Sequence, residues 1–396
     1  MIHRAAGAGI VAEAVTFGPK SYFFGYYDKH QWDITDRYLL GLETNFEDRP
    51  PGPGEEARIL LIDTHENNKA EAIATTRAWC WQQGCMLQWL PGRADEIIYN
   101  DRIGDRFVGV ILNIATGKRR LVPRPIYSVS PDGTQALSLN FSRLAVTRPG
   151  YGYAGLCDPF ADDPHPEEDG VYRMDLRTGD YELLVSLDTL ANLDPDPSME
   201  GATHWVNHLL FNPTGERLIF LHRWRNTGPF RTRMYTVGTD GRALHRVPVE
   251  NASHFIWYSN DRILVWAKTS RFGNAYHVCR DFSDKVEALG LGVLTKDGHI
   301  TVSPPGGWIL TDEYPGASGN RPIILFKPSQ APENGNYGGE RIDLGFFPSS
   351  SLYKGEIRCD LHPRWNRAGT KICFDSVHEG RRRMYVMDVS SLVLGG

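Results

Sequence analysis

The 396-residue sequence has no C-x-x-C pair, and its six cysteines are scattered. Such spacing builds neither a disulfide framework nor a zinc ribbon, so reduced thiols are expected. No apolar run approaches the ~20 residues of a membrane-spanning helix. The opening, MIHRAAGAGIVAEAV, is too weakly apolar and too interrupted for a secretory leader, which makes the cytoplasm the expected compartment. Basic residues never run beyond Arg381–Arg383 and the formal charge is −5, so neither a nucleic acid nor a membrane is an expected partner. There is no G-x-S-x-G, no P-loop and no dinucleotide fingerprint, which removes the common serine-hydrolase and nucleotide-binding readings. Helical periodicity is missing throughout.

What the chain has instead is punctuation. Its 40 glycines and 25 prolines fall at regular intervals, and hydrophobic residues at 41% supply a core. HWVNHLLFNPTGERLIFLHRWR, from His204 to Arg225, reads as strand, tight turn and strand. In its Asn-Pro-Thr-Gly, proline presets φ and glycine takes the φ > 0 position. The phrase returns as YDKHQWDITDRYLLGLE, CMLQWLPGRADEIIYND, IYSVSPDGTQALSLNF, SHFIWYSNDRILVWAK, GHITVSPPGGWILTDEY and LHPRWNRAGTKICFDS, seven copies in all. Aligned on the residue before the turn, the copies give Trp32, Trp89, Val129, Phe211, Trp257, Val302 and Trp365. Their gaps are 57, 40, 82, 46, 45 and 63, and a period of about 40–50 residues marks propeller blades. The expected fold is all-β, one seven-bladed β-propeller over residues 1–396, with 147–170 an insertion in blade three. The last copy ends one strand short, and GIVAEAVTF near the N-terminus is expected to supply that strand and close the ring.

A propeller gathers on one face the residues before each innermost strand and the loops after each second strand. Three positions before the aligned residue stand Lys29, Met86, Ile126, His208, His254, His299 and His362. Packing does not require histidine there, since three blades manage without it. Four in register imply a metal or catalytic role. The second-strand loops bring Asn140, Arg143, Arg223 and Arg225 to the same face, where guanidiniums around neutral imidazoles suit an anionic ligand. Tyr151 and Tyr153, from the insertion, either stack on a sugar and move a proton or plug the space beneath the insertion. Gln83, beside Trp79 and Trp81, belongs to an aromatic–amide group of the kind found at carbohydrate sites. His204 and Arg364 complete the expected substrate contacts. Asp312 and Glu313 are adjacent on one strand, so they face opposite ways and make no glycosidase pair. Histidine, tyrosine, arginine and a divalent ion together suit removal of a proton beside a carboxylate. The cation neutralises the developing enediolate while an imidazole or phenol takes the proton.

The phrases H-F-x-W from His254, G-H-x-x-x-S-P around His299 and D-L-H-P-R-W around His362 resemble those of oligogalacturonate lyases. More distantly they resemble the ulvan-type and rhamnose–glucuronate lyases, also seven-bladed propellers. The blade phrasing is shared with TolB-like propellers, and the resemblance runs over nearly the whole chain. It implies a lyase that cleaves a uronic-acid-containing oligosaccharide by β-elimination, with His208 or His254 and Arg223 or Arg225 acting on the substrate. Carried over by order and spacing, it makes His254 the substrate histidine and His299 and His362 metal ligands. At the family's Q-x-x-H-x-H cluster this chain departs, with Cys359 in place of the Gln and Arg364 in place of the last His. The departure implies either no metal or a softer site, in which His254 or Cys359 is the third ligand. Manganese, zinc and calcium are the candidate ions. The alternative reading is a non-catalytic TolB-like propeller that binds a protein or peptide on the histidine face.

Overall fold

Each copy of the repeated phrase forms the inner hairpin of one sheet, and seven such sheets stand in a ring as a β-propeller. The computed structural model describes residues 2–5, 10–316 and 319–395. Blade four shows the pattern: Thr203–Phe211, Arg217–Arg225, Arg231–Gly238 and His245–Arg246 pair antiparallel in chain order. Its turn works as the residue types require. Gly215 takes φ 76°, and the Asn212 side chain accepts hydrogen bonds from the backbone of Glu216 and Arg217, each 3.1 Å. Asn366 repeats the device in blade seven, accepting from Thr370 and Lys371 at 2.8 Å each.

The ring closes as expected. Glu13–Ala14 is the outermost strand of blade seven, antiparallel to Tyr385–Val386, beyond which lie Lys371–Ser376 and Arg364–Trp365. The paired segment is shorter than GIVAEAVTF, although Val15 adds a backbone bond of 2.9 Å to the Met384 carbonyl. Val15, Cys373 and Met384 then pack with Tyr22, Trp32 and Leu39 of blade one, so the seam between last and first blades is a buried apolar cluster. Two edge additions were not legible in the repeat. Ile2–Ala5 lies parallel to the outer strand of blade six, and Asn336–Tyr337 extends blade five.

Two departures from regular blades position the functional face. In blade three, Gln135–Ser138 and Gly170–Asp175 are separated by an excursion that starts with a helix, Phe141–Thr147. Seven residues are too few to show helical periodicity in the sequence. In blade one the inner strand is broken. Ser21–Phe23 pairs with Leu42–Thr44, Trp32 bridges Leu39, and the intervening FGYYDKHQ loops out from the sheet. Among the described residues no helix is long and apolar enough to cross a membrane.

Candidate functional site

The loop from blade one brings Tyr26 and Tyr27 into the middle of the four histidines that the repeat aligns. Ring centres of Tyr26 lie 5.0 Å from His208, 5.4 Å from His362 and 6.5 Å from His299. Tyr27 is 5.9 Å from His254 and 5.3 Å from His299. His299 in turn sits 4.3 Å from His254 and 4.2 Å from His362. Four blades therefore deliver imidazoles to one place. Local backbone helps aim them: His208, His362 and the corresponding Met86 all have positive φ, 51°, 43° and 55°. At His208 this coincides with a bulge, because the pairing register slips between Asn207 and Leu210.

Aspartates lock three of these imidazoles. His208 Nε2 lies 3.2 Å from Asp28, His254 Nδ1 2.9 Å from Asp297, and His299 Nδ1 2.9 and 3.0 Å from the two oxygens of Asp312. An ionised carboxylate only accepts, so the facing ring nitrogen carries the proton and the other nitrogen keeps its lone pair. Burial pushes the His208 imidazole down to about 4 despite Asp28, and it lowers His254 despite Asp297. Both rings are therefore neutral near pH 7. Asp28 is itself buried, yet Lys29 at 3.0 Å and His208 hold its carboxyl down at about 2.

A set of side chains that could hold a metal ion sits within this cluster. Ligand atoms of His299, Asp360 and His362 all lie within 4.8 Å of one another, and all three residues are buried. The Nε2 atoms of His299 and His362 have no hydrogen-bond partner among the described residues, so both could ligate an ion. Burial opposes charge on Asp360. Even so, Arg358 at 2.8 Å and Arg321 at 2.6 Å keep its carboxyl well below the usual range. Two imidazoles and a carboxylate suit manganese or zinc. Cys359 does not belong to the set. It packs with Tyr353 and Val377 while its backbone carbonyl accepts from Arg321, so Asp360 takes the place expected of the thiolate. His254 also lies outside the three-residue set, engaged with Asp297.

The remaining expected site residues divide clearly. Arg223 is 5% exposed, has no acidic partner among the described residues, and leaves Nε unpartnered. Burial, then the charge of Arg148, lowers its guanidinium to about 10. Arg225 is exposed at the end of the same strand. Tyr151 faces Tyr26 edge-on at 6.5 Å, and its hydroxyl accepts from Arg358 Nη2 at 2.7 Å. Tyr153 is the plug: it stacks on Phe141 at 4.3 Å and accepts from Asn100, fully buried. Asn140 and Arg143 are committed to structure. Asn140 caps the helix and binds Asp158 and Asp169, while Arg143 holds Asp158, Asp163 and Pro164 of the insertion. His204 pairs with His222 at 2.8 Å inside blade four, and Arg364 ties Gln31, Gly25 and Asp375 together. Gln83 donates to the Tyr127 hydroxyl at 2.6 Å. Asp312 and Glu313 diverge as expected, to His299 and to Arg341.

Tyr26, Tyr27, Asp28, Asp297 and Asp360 were missed. A signal existed for two of them: Asp297-x-His299 and Asp360-x-His362 repeat one spacing in successive blades.

No family model matches the chain, and no curated protein matches it in sequence. Among solved structures the resemblance is extensive. An oligogalacturonate lyase from Vibrio parahaemolyticus superposes with a TM-score of 0.67 at 12% identity, over 98% of this chain and 95% of that one. An oligogalacturonate lyase in complex with manganese gives 0.66 at 15% identity, with the same two coverages, 98% and 95%. The chain shares the propeller fold of these two lyases over nearly its full length. A prolyl endopeptidase also aligns, with a TM-score of 0.51 at 10% identity, over 95% of this chain but only 51% of that protein. At such identities the likeness is one of fold, and activity has to be argued from the site.

Proposed function

We propose that this chain is a polysaccharide lyase that cleaves a uronic-acid-containing oligosaccharide by β-elimination. One observation carries the reading. A buried arginine without an acidic partner among the described residues, Arg223, lies within electrostatic reach of Tyr26, and aspartate-locked neutral imidazoles converge around Tyr26 and its neighbour Tyr27. That is the equipment for taking a proton next to a carboxylate. Arg223 pairs with the uronate carboxylate in fork geometry. His254 takes the C5 proton through Nε2, because Asp297 occupies Nδ1 and burial keeps the ring neutral. His254 is preferred over His208 because its side chain is 8% exposed against 1%. The electrons of the C5–H bond pass into an enediolate, then form the C4=C5 double bond as the C4–O4 bond breaks. The departing oxygen takes a proton from Tyr151. Arg358 already donates to the Tyr151 oxygen, so that hydroxyl's own proton is free to point elsewhere.

His299, Asp360 and His362 would hold a divalent ion such as manganese. Bound there, it supplies a Lewis-acidic positive charge close to the same imidazoles. The test is to incubate the protein with a panel of uronic-acid oligosaccharides and follow the absorbance of the unsaturated uronate. Appearance of that band, lost in Arg223→Ala and His254→Ala variants of unchanged melting temperature, supports the reading. No band with any uronide overturns it in favour of a non-catalytic propeller.

A further inference from the structure

Arg223 is not the only guanidinium without an acid. Arg148, the residue that ends the helix at the start of the blade-three excursion, leaves its Nε buried and unpartnered as well. The two come from different blades but meet over one aromatic ring. The guanidinium carbon of Arg148 is 4.9 Å from the centre of Phe230, and that of Arg223 is 4.7 Å from it. Arg148 also lies over the ring of Tyr151 at 4.7 Å. Neither arginine has a hydrogen bond or ion pair to a carboxylate among the described residues. Two like charges held near each other, one buried and one half-buried, repel with no acidic side chain among the described residues to offset them. Elsewhere several buried arginines are matched with acids, as in Arg321–Asp360, Arg364–Asp375 and Arg143–Asp158, while Arg382, which has no acid, donates to the backbone carbonyls of Ile357 and Arg358. The Arg148 and Arg223 side chains have neither an acid nor a backbone acceptor among the described residues, and a ligand anion would complete them.

Charge counting identifies that anion. A uronate carboxylate carries one negative charge, which Arg223 alone offsets. Removal of the C5 proton turns the carboxylate into an enediolate with two. We infer that Arg148 and Arg223 form a single doubly cationic site, in which Arg148 engages the uronate carboxylate beside Arg223 as its second charge develops. This inference rests on the lyase reading for the identity of the dianion, and the pair itself rests on the geometry. Arg148 is then a catalytic residue whose contribution grows along the reaction coordinate, so its loss falls on kcat more than on KM. It also gives the insertion a purpose. Arg143 clamps Asp158, Asp163 and Pro164, which fixes the excursion whose helix ends at Arg148.

Two measurements on the full chain test this. In calorimetry, inorganic sulfate, a dianion, should bind the wild type more tightly than acetate. That preference should vanish in Arg148→Gln and in Arg223→Gln, which keep most of the stem packed on Phe230. With a cleaved uronide, Arg148→Gln should lower kcat by about a hundredfold with KM within a few-fold, the size expected for one charge-stabilising donor. Arg148→Lys should restore part of the rate, which a purely structural role for the side chain does not predict. Equal sulfate binding in wild type and Arg148→Gln, or wild-type kcat in that variant, overturns the proposal and leaves the lyase reading standing. Sulfate binding that depends on both arginines, in a protein that cleaves no uronide, keeps the doubly cationic site and removes the lyase.

Discussion

The imidazole of His299 meets that of His362 edge-on, with ring centres 4.2 Å apart and planes at 81°. Each ring comes from its own blade, Asp312 fixes the far nitrogen of the first, and both Nε2 atoms lack a protein partner among the described residues. Protein purified without chelator is therefore expected to carry a divalent ion in metal analysis. His299→Ala, His362→Ala and Asp360→Asn should each remove it. Cys359→Ser should retain it, because the sulfur lies in the Tyr353–Val377 cluster and not with the ligands. Loss of the ion in Cys359→Ser alone would return the site to a thiolate.

The assignment of His254 as base predicts an ordered set of rates. His254→Ala should lose at least about a hundredfold in kcat, the usual contribution of a positioned base. Asp297→Asn keeps the ring but no longer fixes its tautomer, so a smaller loss in kcat with little change in KM is expected. His208→Ala should cost less activity than His254→Ala, since His208 is sealed behind the Asp28–Lys29 pair. Steady-state kinetics on one confirmed uronide decides the order. A larger loss in His208→Ala would exchange the two roles.

The architecture was legible because the propeller's period is written in turn chemistry. Asn212 and Asn366 announce the same turn in blades far apart in sequence, and the aligned position named all four histidines. Single residues were harder. Tyr26 and Tyr27 sit in a break of the first blade's inner strand, and an interruption of pairing has no periodicity to read. Asn140, Arg143 and Arg364 lie in or beside the expected register but turn to caps and interblade ties, because a buried polar group takes the nearest partner. Asp360 was passed over for Cys359, its neighbour in sequence. Register placed the pair on the right face, but which of two adjacent side chains points inward depends on the backbone of that one turn.

Buried neutral histidines predict acid sensitivity. Burial lowers His204 and His277 to about 4 each, and both are 0% exposed. In the unfolded chain they titrate near the ordinary ~6.5. Between those values the unfolded state binds protons that the folded state refuses, so stability falls as pH drops from about 6.5 to 4 and levels off for these groups below that. The loss should be on the order of 2 kcal/mol per histidine. Urea unfolding across that window measures it, and His277→Gln should flatten the slope. An unfolding free energy that stays constant from pH 6.5 to 4.5 would contradict the burial argument.

The seam between the last and first blades makes the final prediction. Among the described residues only Glu13–Ala14 of the N-terminal segment pair formally with blade seven, so the closure rests as much on the side chain of Val15 as on the ladder. Val15 is 4% exposed and lies in one cluster with Met384 and Cys373 on one side of the seam and Tyr22, Trp32 and Leu39 on the other. Gly41 belongs to the same fit, since a Cβ there would come within 2.8 Å of the Met384 sulfur. Val15→Ala should lower the unfolding free energy by about 1–2 kcal/mol through the lost methyls and the space they leave. Phe17, two residues on, is 56% exposed, and Phe17→Ala should leave stability within about 0.5 kcal/mol. Gly41→Ala should be worse than Val15→Ala unless the Met384 side chain can withdraw. Removing residues 1–17 takes away the ladder, the Val15 side chain and the Ile2–Ala5 strand of blade six together and should cost more than any single change. Urea unfolding of the point variants reads the contribution of the closing strand. If the truncated chain unfolds at the wild-type midpoint, the ring is held shut by something other than Glu13–Val15.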